Sequence, residues 1–186
     1  MEQAMIITVG YPGSGKSTLV AQIRKEFPSL NIVDGDRLRD LLRQEIPYFN
    51  SLEFSEMTPQ VEGANAIAKE YKRLVIQELV RNNQAVFVEG NHLDKKARDK
   101  WFDAARQINP NTKTAILYLR ISDEELLRRY EEREIEDRNS KWVSEFSRWR
   151  KDQLQEPTVQ EADELIIFDQ SNQGSVISEL RAFLGD

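Results

Sequence analysis

A chain of 186 residues with a net charge of −6, 31% of them charged and 39% hydrophobic, has the size and make-up of one soluble globular domain. No apolar run approaches the roughly 20 residues that a bilayer span needs, and Met1-Glu2-Gln3-Ala4 lacks the basic segment of a signal peptide. The absence of cysteine excludes disulfides and thiolate chemistry and fits a cytoplasmic location, while the acidic balance excludes a globally basic nucleic-acid binder but not a local basic groove.

The apolar run Met5-Ile6-Ile7-Thr8-Val9 predicts a buried parallel strand, and Leu19 to Arg24 predicts an amphipathic helix. Between them stands Gly10-Tyr11-Pro12-Gly13-Ser14-Gly15-Lys16-Ser17-Thr18. It fills every fixed position of the phosphate-binding pattern G-x-x-x-x-G-K-[ST], in the strand–loop–helix context the pattern requires. Gly10, Gly13 and Gly15 are expected to take positive φ, so that backbone N–H groups approach phosphate oxygens. The N-terminus of the helix adds its positive dipole. Lys16 is expected against the terminal phosphates and the Ser17 hydroxyl on Mg2+, with Pro12, Ser14 and Thr18 completing the nucleotide-binding set.

Phe27-Pro28-Ser29 breaks the pattern, and Leu30-Asn31-Ile32-Val33 predicts a second strand that runs into Asp34-Gly35-Asp36. A helical stretch, Arg37 to Arg43, follows. Asp36 fits two roles: a cap for that helix, or a ligand contact at the carboxyl end of a strand, where open α/β sheets bind substrates. Ile46 to Ser51 reads as a surface loop with adjacent aromatics. Thr58 as cap and Pro59 at the first position open a long helix, with Ala64, Ile67, Ala68, Tyr71, Leu74, Val75 and Leu79 as its apolar face and Asn82-Asn83 as its end.

Ala85 to Gly90 predicts the third strand, closing on Glu89, which is either a Walker-B-like acid or a Glu at a strand end with no role. The one histidine, His92, lies in the following loop and supports no metal cluster. Asp94 to Gln107 predicts a helix with Trp101, Phe102, Ala105 and Ile108 apolar, and Lys95, Lys96, Arg98 and Lys100 form a local basic cluster at its start. Thr114 to Leu119 is the fourth strand. Ser122-Asp123-Glu124-Glu125 is a capping box for a helix carrying Arg128, Arg129 and Arg133, with Arg138 following. Arg129 and Arg133 share a face. The same charges also fit a solvated face in which Glu124 and Glu125 pair with Arg128 and Arg129. Lys141 to Gln153 predicts another helix, with Trp142, Phe146 and Trp149 packing. Glu164 to Asp169 is the fifth strand, and Val176 to Leu184 the last helix.

Strands alternating with helices predict an α/β fold, a five-stranded, mostly parallel sheet with helices on both faces, in one domain over residues 1–186.

From Met5 to about Pro157 the chain resembles the P-loop kinases that include polynucleotide 5′-hydroxyl kinases and zeta-toxin-type sugar-nucleotide kinases. The resemblance implies a P-loop NTPase fold with a helical lid at about 122–140, and transfer of the ATP γ-phosphoryl group to a hydroxyl. An acid after the second strand acts as general base in both branches, with an Arg three residues on; Asp36 and Arg39 match them. In the polynucleotide branch an acid ends the third strand and an Asn, a basic stretch and a Trp follow, as Glu89, Asn91, Lys95-Lys96 and Trp101 do here, with Glu for the usual Asp. Its lid arginines match Arg129 and Arg133, which implies that both act on the transferring phosphoryl. In the toxin branch the third strand ends in hydrophobic-Glu-Gly, matched by Val88-Glu89-Gly90, and a Pro-x-Phe element matches Pro47-Tyr48-Phe49. The implied ligands are ATP, Mg2+ and a hydroxyl acceptor, the 5′ end of DNA or RNA or a UDP-sugar, with Glu89 and Asn91 on the acceptor side and no membrane partner. The reading from a different class is a nucleotide-switch ATPase.

Overall fold

Strands Ala4–Val9 (β1), Asn31–Asp34 (β2), Val86–Glu89 (β3), Lys113–Leu119 (β4) and Glu164–Phe168 (β5) pair in the order β2-β3-β1-β4-β5, every neighbour parallel. The computed structural model describes residues 2–49, 58–136, 143, 154–169 and 172–186. Helices Lys16–Glu26 (α1), Gly35–Glu45 (α2), Pro59–Arg81 (α3), Lys95–Arg106 (α4), Asp123–Glu136 (α5) and Gln173–Leu184 (α6) surround the sheet, and a 3-10 turn spans Pro47–Phe49.

β1 is apolar throughout apart from Thr8 because helices cover both of its faces. Side chains alternate across a strand. Ile6 therefore packs with Leu19, Val20 and Ile23 of α1 and Leu180 and Leu184 of α6. Met5 and Ile7 pack on the other face with Ile76 and Val80 of α3 and Phe102 and Ala105 of α4. The sheet expected as mostly parallel is parallel at every pairing. Its carboxyl edge gathers the turns after β1, β2 and β3, which is where an open α/β sheet binds ligands.

Thr58 caps α3 as expected, its hydroxyl accepting from the Val61 N–H, and of the expected box before α5 the Ser122 half is present, its hydroxyl accepting from the Glu125 N–H. The face of α3 differs from the expected one. Val61, Ala64, Ala68, Ile76 and Val80 are its buried positions, whereas Ile67, Tyr71 and Leu74 are exposed. Apolar residues surround much of this helix, and the sheet selected a narrower stripe than the sequence offered. The expected helix over residues 141–153, with Trp142, Phe146 and Trp149, lies outside the described residues but for residue 143. Asn50, Ser51, Arg138 and the end of the lid at 137–140 lie outside them as well.

Candidate active site

β1 delivers the chain into the loop from Gly10 to Gly15, and α1 begins at Lys16. Gly13 and Gly15 take left-handed φ values of 80° and 100°, as expected of glycines that turn the backbone toward a bound anion. Gly10 does not share that conformation, a correction to the expectation. Space explains it instead: a Cβ at Gly10 would stand 2.8 Å from the Ser14 Oγ. Lys16 folds back across the loop, and its ammonium donates to the carbonyls of Gly10 at 2.8 Å and Tyr11 at 2.6 Å. Burial lowers its pKa to about 8; Glu89 opposes the shift and Arg133 adds to it.

The Ser17 hydroxyl donates to the Glu89 carboxylate at 3.3 Å. Glu89, at the end of β3, thus stands against the start of the P-loop helix. Burial, with Asp34 nearby, raises the Glu89 pKa, and Ser17, Lys16 and Arg24 pull it down. A hydroxyl and a carboxylate set side by side are hard oxygen donors that suit Mg2+, which takes one or two protein ligands and completes its shell with phosphates and water. Among the described residues no group of three His, Cys, Asp or Glu side chains stands close enough to hold a metal.

The chain after β3 is fastened to the P-loop. Gly10 N–H donates to the Asn91 carbonyl at 3.1 Å, and the Thr8 hydroxyl donates to the Gly90 carbonyl at 2.7 Å and accepts from the Gly90 N–H at 3.0 Å. His92, expected as a plain loop residue, turns inward. Its Nδ1 lies 2.8 Å from the Thr8 carbonyl, and a carbonyl only accepts, so that nitrogen carries the proton. Burial, with the cations Lys72, Lys16 and Arg98 around it, lowers the His92 pKa to about 3.

Arg98 departs most from the sequence reading. It is wholly buried and leaves the basic cluster, donating through Nε to Glu161 at 2.7 Å and through Nη1 to the carbonyls of His92 at 3.0 Å and Leu93 at 2.9 Å. Lys95 pairs with Asp99 at 2.6 Å on the surface of α4.

On α2 the cap is Asp34, which accepts from the N–H groups of Asp36 at 2.9 Å and Arg37 at 3.3 Å. The capping role read for Asp36 therefore belongs to its neighbour. Asp36 is 80% exposed and ion-paired with Arg39, whose Nη1 also donates to Asn65 Oδ1 at 2.9 Å. Lys72 of α3 reaches the same region and donates to the Glu89 carbonyl at 2.9 Å. Burial lowers its pKa to about 8, an effect that Asp34 opposes.

From the other side α5 docks on the P-loop. Tyr130 is wholly buried, and its hydroxyl donates to the Pro12 carbonyl at 2.6 Å. Arg129 donates to the Gly13 carbonyl at 3.1 Å and to Glu125 at 2.7 Å. Arg128 pairs with Glu125 and Glu132 on the outer face in place of the expected Glu124. The Glu125–Arg129 pair of the solvated-face reading is present, and Arg129 adds to it the contact with the Gly13 carbonyl. Arg133 is exposed, with its charge felt at Lys16.

The fold brings together Lys16, Ser17, Glu89, Asn91 and Arg129 around one loop, and sets Asp36 and Arg39 at the end of β2. Sequence reasoning missed Lys72 and Tyr130. Lys72 had a signal, since it falls midway between Ala68 and Ile76 on the buried stripe of α3. Tyr130 sits on a helix whose arginines drew the attention, and its aromatic ring had no marker of its own.

A family model described as an AAA domain matches residues 5–157. No curated protein matches the sequence. Among solved structures, a candidate kinase from Chloroflexus aurantiacus superposes with a TM-score of 0.74 at 16% identity, covering 100% of this chain and 98% of its own. A structure from the PezAT toxin-antitoxin system of Streptococcus pneumoniae gives 0.56 at 22% identity, over 74% of this chain and 57% of that one. The Pnkp1/Rnl/Hen1 complex gives 0.53 at 20% identity, over 69% of this chain and 40% of that one. At such identities the likeness is one of fold, and the fold is that of a P-loop kinase.

Proposed function

Because the chain belongs to the AAA domain family through residues 5–157 and has a P-loop kinase-like fold, we propose that it transfers the γ-phosphoryl group of ATP to a hydroxyl acceptor. The observation that carries this reading is the Ser17–Glu89 contact beside Lys16, with the Asp36–Arg39 pair at the end of β2, two strands from β1. The first group suits the phosphates of a nucleotide, and the second suits a hydroxyl approaching them.

In the reaction the acceptor oxygen bonds to the γ-phosphorus and its proton passes to Asp36. The bond from phosphorus to the β–γ bridging oxygen breaks, releasing ADP. Lys16 exchanges the carbonyls of Gly10 and Tyr11 for phosphate oxygens, and the loop amides hold the rest. The Ser17 hydroxyl and the Glu89 carboxylate would hold Mg2+, which would supply further positive charge against the phosphates. Arg39 holds Asp36 in place. Arg129 and Arg133, on a lid over about 122–140, stabilise charge at the transferring group.

The acceptor we infer is the 5′-hydroxyl end of DNA or RNA. It is supported by the arginine pair on a helix seated on the P-loop and by Glu89, Asn91 and Trp101 in the order of that branch. Burial of Arg98 reduces the basic set beside α4 to Lys95, Lys96 and Lys100. One observation favours a UDP-sugar instead: Glu89 stands on the P-loop serine, in the Val88-Glu89-Gly90 context of the toxin branch. The Pro47-Tyr48-Phe49 match adds less, because Phe49 packs with Val61 and Ala64.

Labelled ATP offered with 5′-hydroxyl DNA and RNA, UDP-N-acetyl sugars and hydroxymethylated bases tests the reading. Label is expected on the oligonucleotides, with affinity falling with salt at a slope of roughly −0.7 per phosphate contacted. Lys16→Ala should abolish labelling, a loss of about 3–4 kcal/mol or more in the transition state. Labelled UDP-sugars with unlabelled oligonucleotides would install the second acceptor. ATP hydrolysis at one rate with every acceptor and with none would replace the kinase by a nucleotide-switch ATPase.

A further inference from the structure

Apolar side chains left in water gather beside β2, an edge strand of the sheet. Leu41 of α2 and Ile67, Tyr71 and Leu74 of α3 are between 44% and 51% exposed. Leu38 and Leu41 line one groove of about 650 Å3 with Tyr71 and Val75 of α3 and with Ile32 and Val33 of β2. Apolar side chains scattered singly over a surface need no explanation, whereas a cluster rimmed by charge marks an interaction site. Arg24, Arg37 and Asp40 supply that rim.

The charges on α2 say what covers it. Arg37, Leu41 and Glu45 follow one another at intervals of four and so share one face of the helix. Asp36 and Arg39 fall on its other side, so a partner on this face leaves them open. Arg37 and Glu45 are exposed, and among the described residues neither side chain makes an ion pair. Each also stands at the unfavourable end of its own helix. Arg37 lies in the first turn, where the macrodipole favours an anion, and Glu45 is the last residue, where it favours a cation.

An antiparallel neighbour reverses both. Against a second α2 related by a two-fold axis at Leu41, Arg37 meets Glu45 of the second copy and Glu45 meets its Arg37. Each charge then faces its opposite and the favourable end of the other dipole, while Leu41 meets Leu41. A face that complements itself in this way is what an isologous dimer uses, and it closes at two copies.

We propose that the groove between α2 and α3 is a two-fold interface between two copies of this chain, with α2 antiparallel to α2 across the axis. The inference stands apart from the kinase reading, since Arg37, Leu41 and Glu45 have no part in the reaction.

Analytical ultracentrifugation of the full chain over a wide range of concentration tests it. The proteins are wild type, Leu41→Asp, Arg37→Glu, Glu45→Arg and the double charge reversal. Wild type should form a dimer that dissociates on dilution. Leu41→Asp should raise its Kd about 10-fold or more. Arg37→Glu and Glu45→Arg should each raise it about 10-fold, because two like-charge contacts replace two attractive ones. The double reversal should restore dimerisation. An equimolar mixture of the two single reversals should form a heterodimer, since every crossing pair is then opposite in sign. Both restorations exclude misfolding as the cause of the losses. A wild type that stays monomeric overturns the proposal and leaves the face to a different partner. A dimer whose Kd ignores Leu41→Asp and both reversals overturns it by placing the interface elsewhere. A double reversal as weak as the single ones overturns the antiparallel pairing.

Discussion

The Tyr130 hydroxyl donates to the Pro12 carbonyl, and the Tyr130 ring lies against Gly13, so the helix that carries Arg129 and Arg133 is seated on the phosphate-binding loop itself. The contact is made by the middle of α5, where Leu126 and Tyr130 lie against Gly13 and the Tyr130 hydroxyl holds Pro12.

Tyr130→Phe keeps the ring and deletes the hydroxyl. Loss of this hydrogen bond should lower stability by about 1–2 kcal/mol, and kcat for phosphoryl transfer should fall more than ATP affinity does. Gly13→Ala is the sharper variant, because φ is 80° and the new Cβ would meet the ring at 2.6 Å. Stopped-flow nucleotide binding and steady-state kinetics separate the two effects. An unchanged kcat in Tyr130→Phe would leave the tyrosine as packing alone.

Asp34 and Asp36 should separate cleanly. Asp34→Ala removes the cap of α2 and should cost about 0.5–2 kcal/mol of stability. Asp36→Asn leaves the cap intact and should lower turnover by on the order of 10²–10⁴ while ATP still binds. Denaturant unfolding and kcat measured on both variants check it. A drop in stability with normal turnover in Asp36→Asn would remove Asp36 from the chemistry.

His92 gives a pH signature that a single spectrum can read, since the chain has one histidine. Its folded pKa near 3 lies below the ordinary value of 6.5. The unfolded chain therefore binds the extra proton first, and the histidine's contribution, present above about 6.5, is lost as pH falls toward 3. The slope from this residue is at most about 1.4 kcal/mol per pH unit. Long-range proton–nitrogen spectra should show a neutral ring protonated at Nδ1 and no titration between pH 8 and 5. A ring that titrates near 6.5 would place His92 in water.

Arg98 and Glu161 form a buried pair, with side-chain exposures of 0% and 2%. Glu161→Gln leaves the guanidinium charge uncompensated and should cost about 3–5 kcal/mol, as breaking one side of a buried pair does. Because Arg98 also holds the carbonyls of His92 and Leu93, the loss should loosen the turn after β3, read as faster amide exchange at Gly90 to Leu93. Wild-type stability and exchange would show that water or another group takes over the charge.

The chain itself determined the five strands, the P-loop and the caps at Thr58 and Ser122, because each is written in residues close together in sequence. A glycine-rich turn between an apolar run and a helix has one local solution, and an apolar strand covered on both faces looks the same wherever it lies in the sheet. What only the tertiary structure decided were the contacts between distant segments. One local contact also differs: Asp34 rather than Asp36 caps α2, because the helix begins at Gly35, two residues before the expected Arg37. Arg98 left the surface because Glu161, more than sixty residues on, meets it in the interior. Ile67, Tyr71 and Leu74 stayed in water while Lys72 turned inward, since α3 offers apolar side chains around much of its girth and the sheet can cover one stripe. Charge and apolarity in the sequence give each residue a preference. Which groups meet, and so which lysine turns inward and which arginine holds the fold, follows from packing a sheet of fixed order against helices of fixed length.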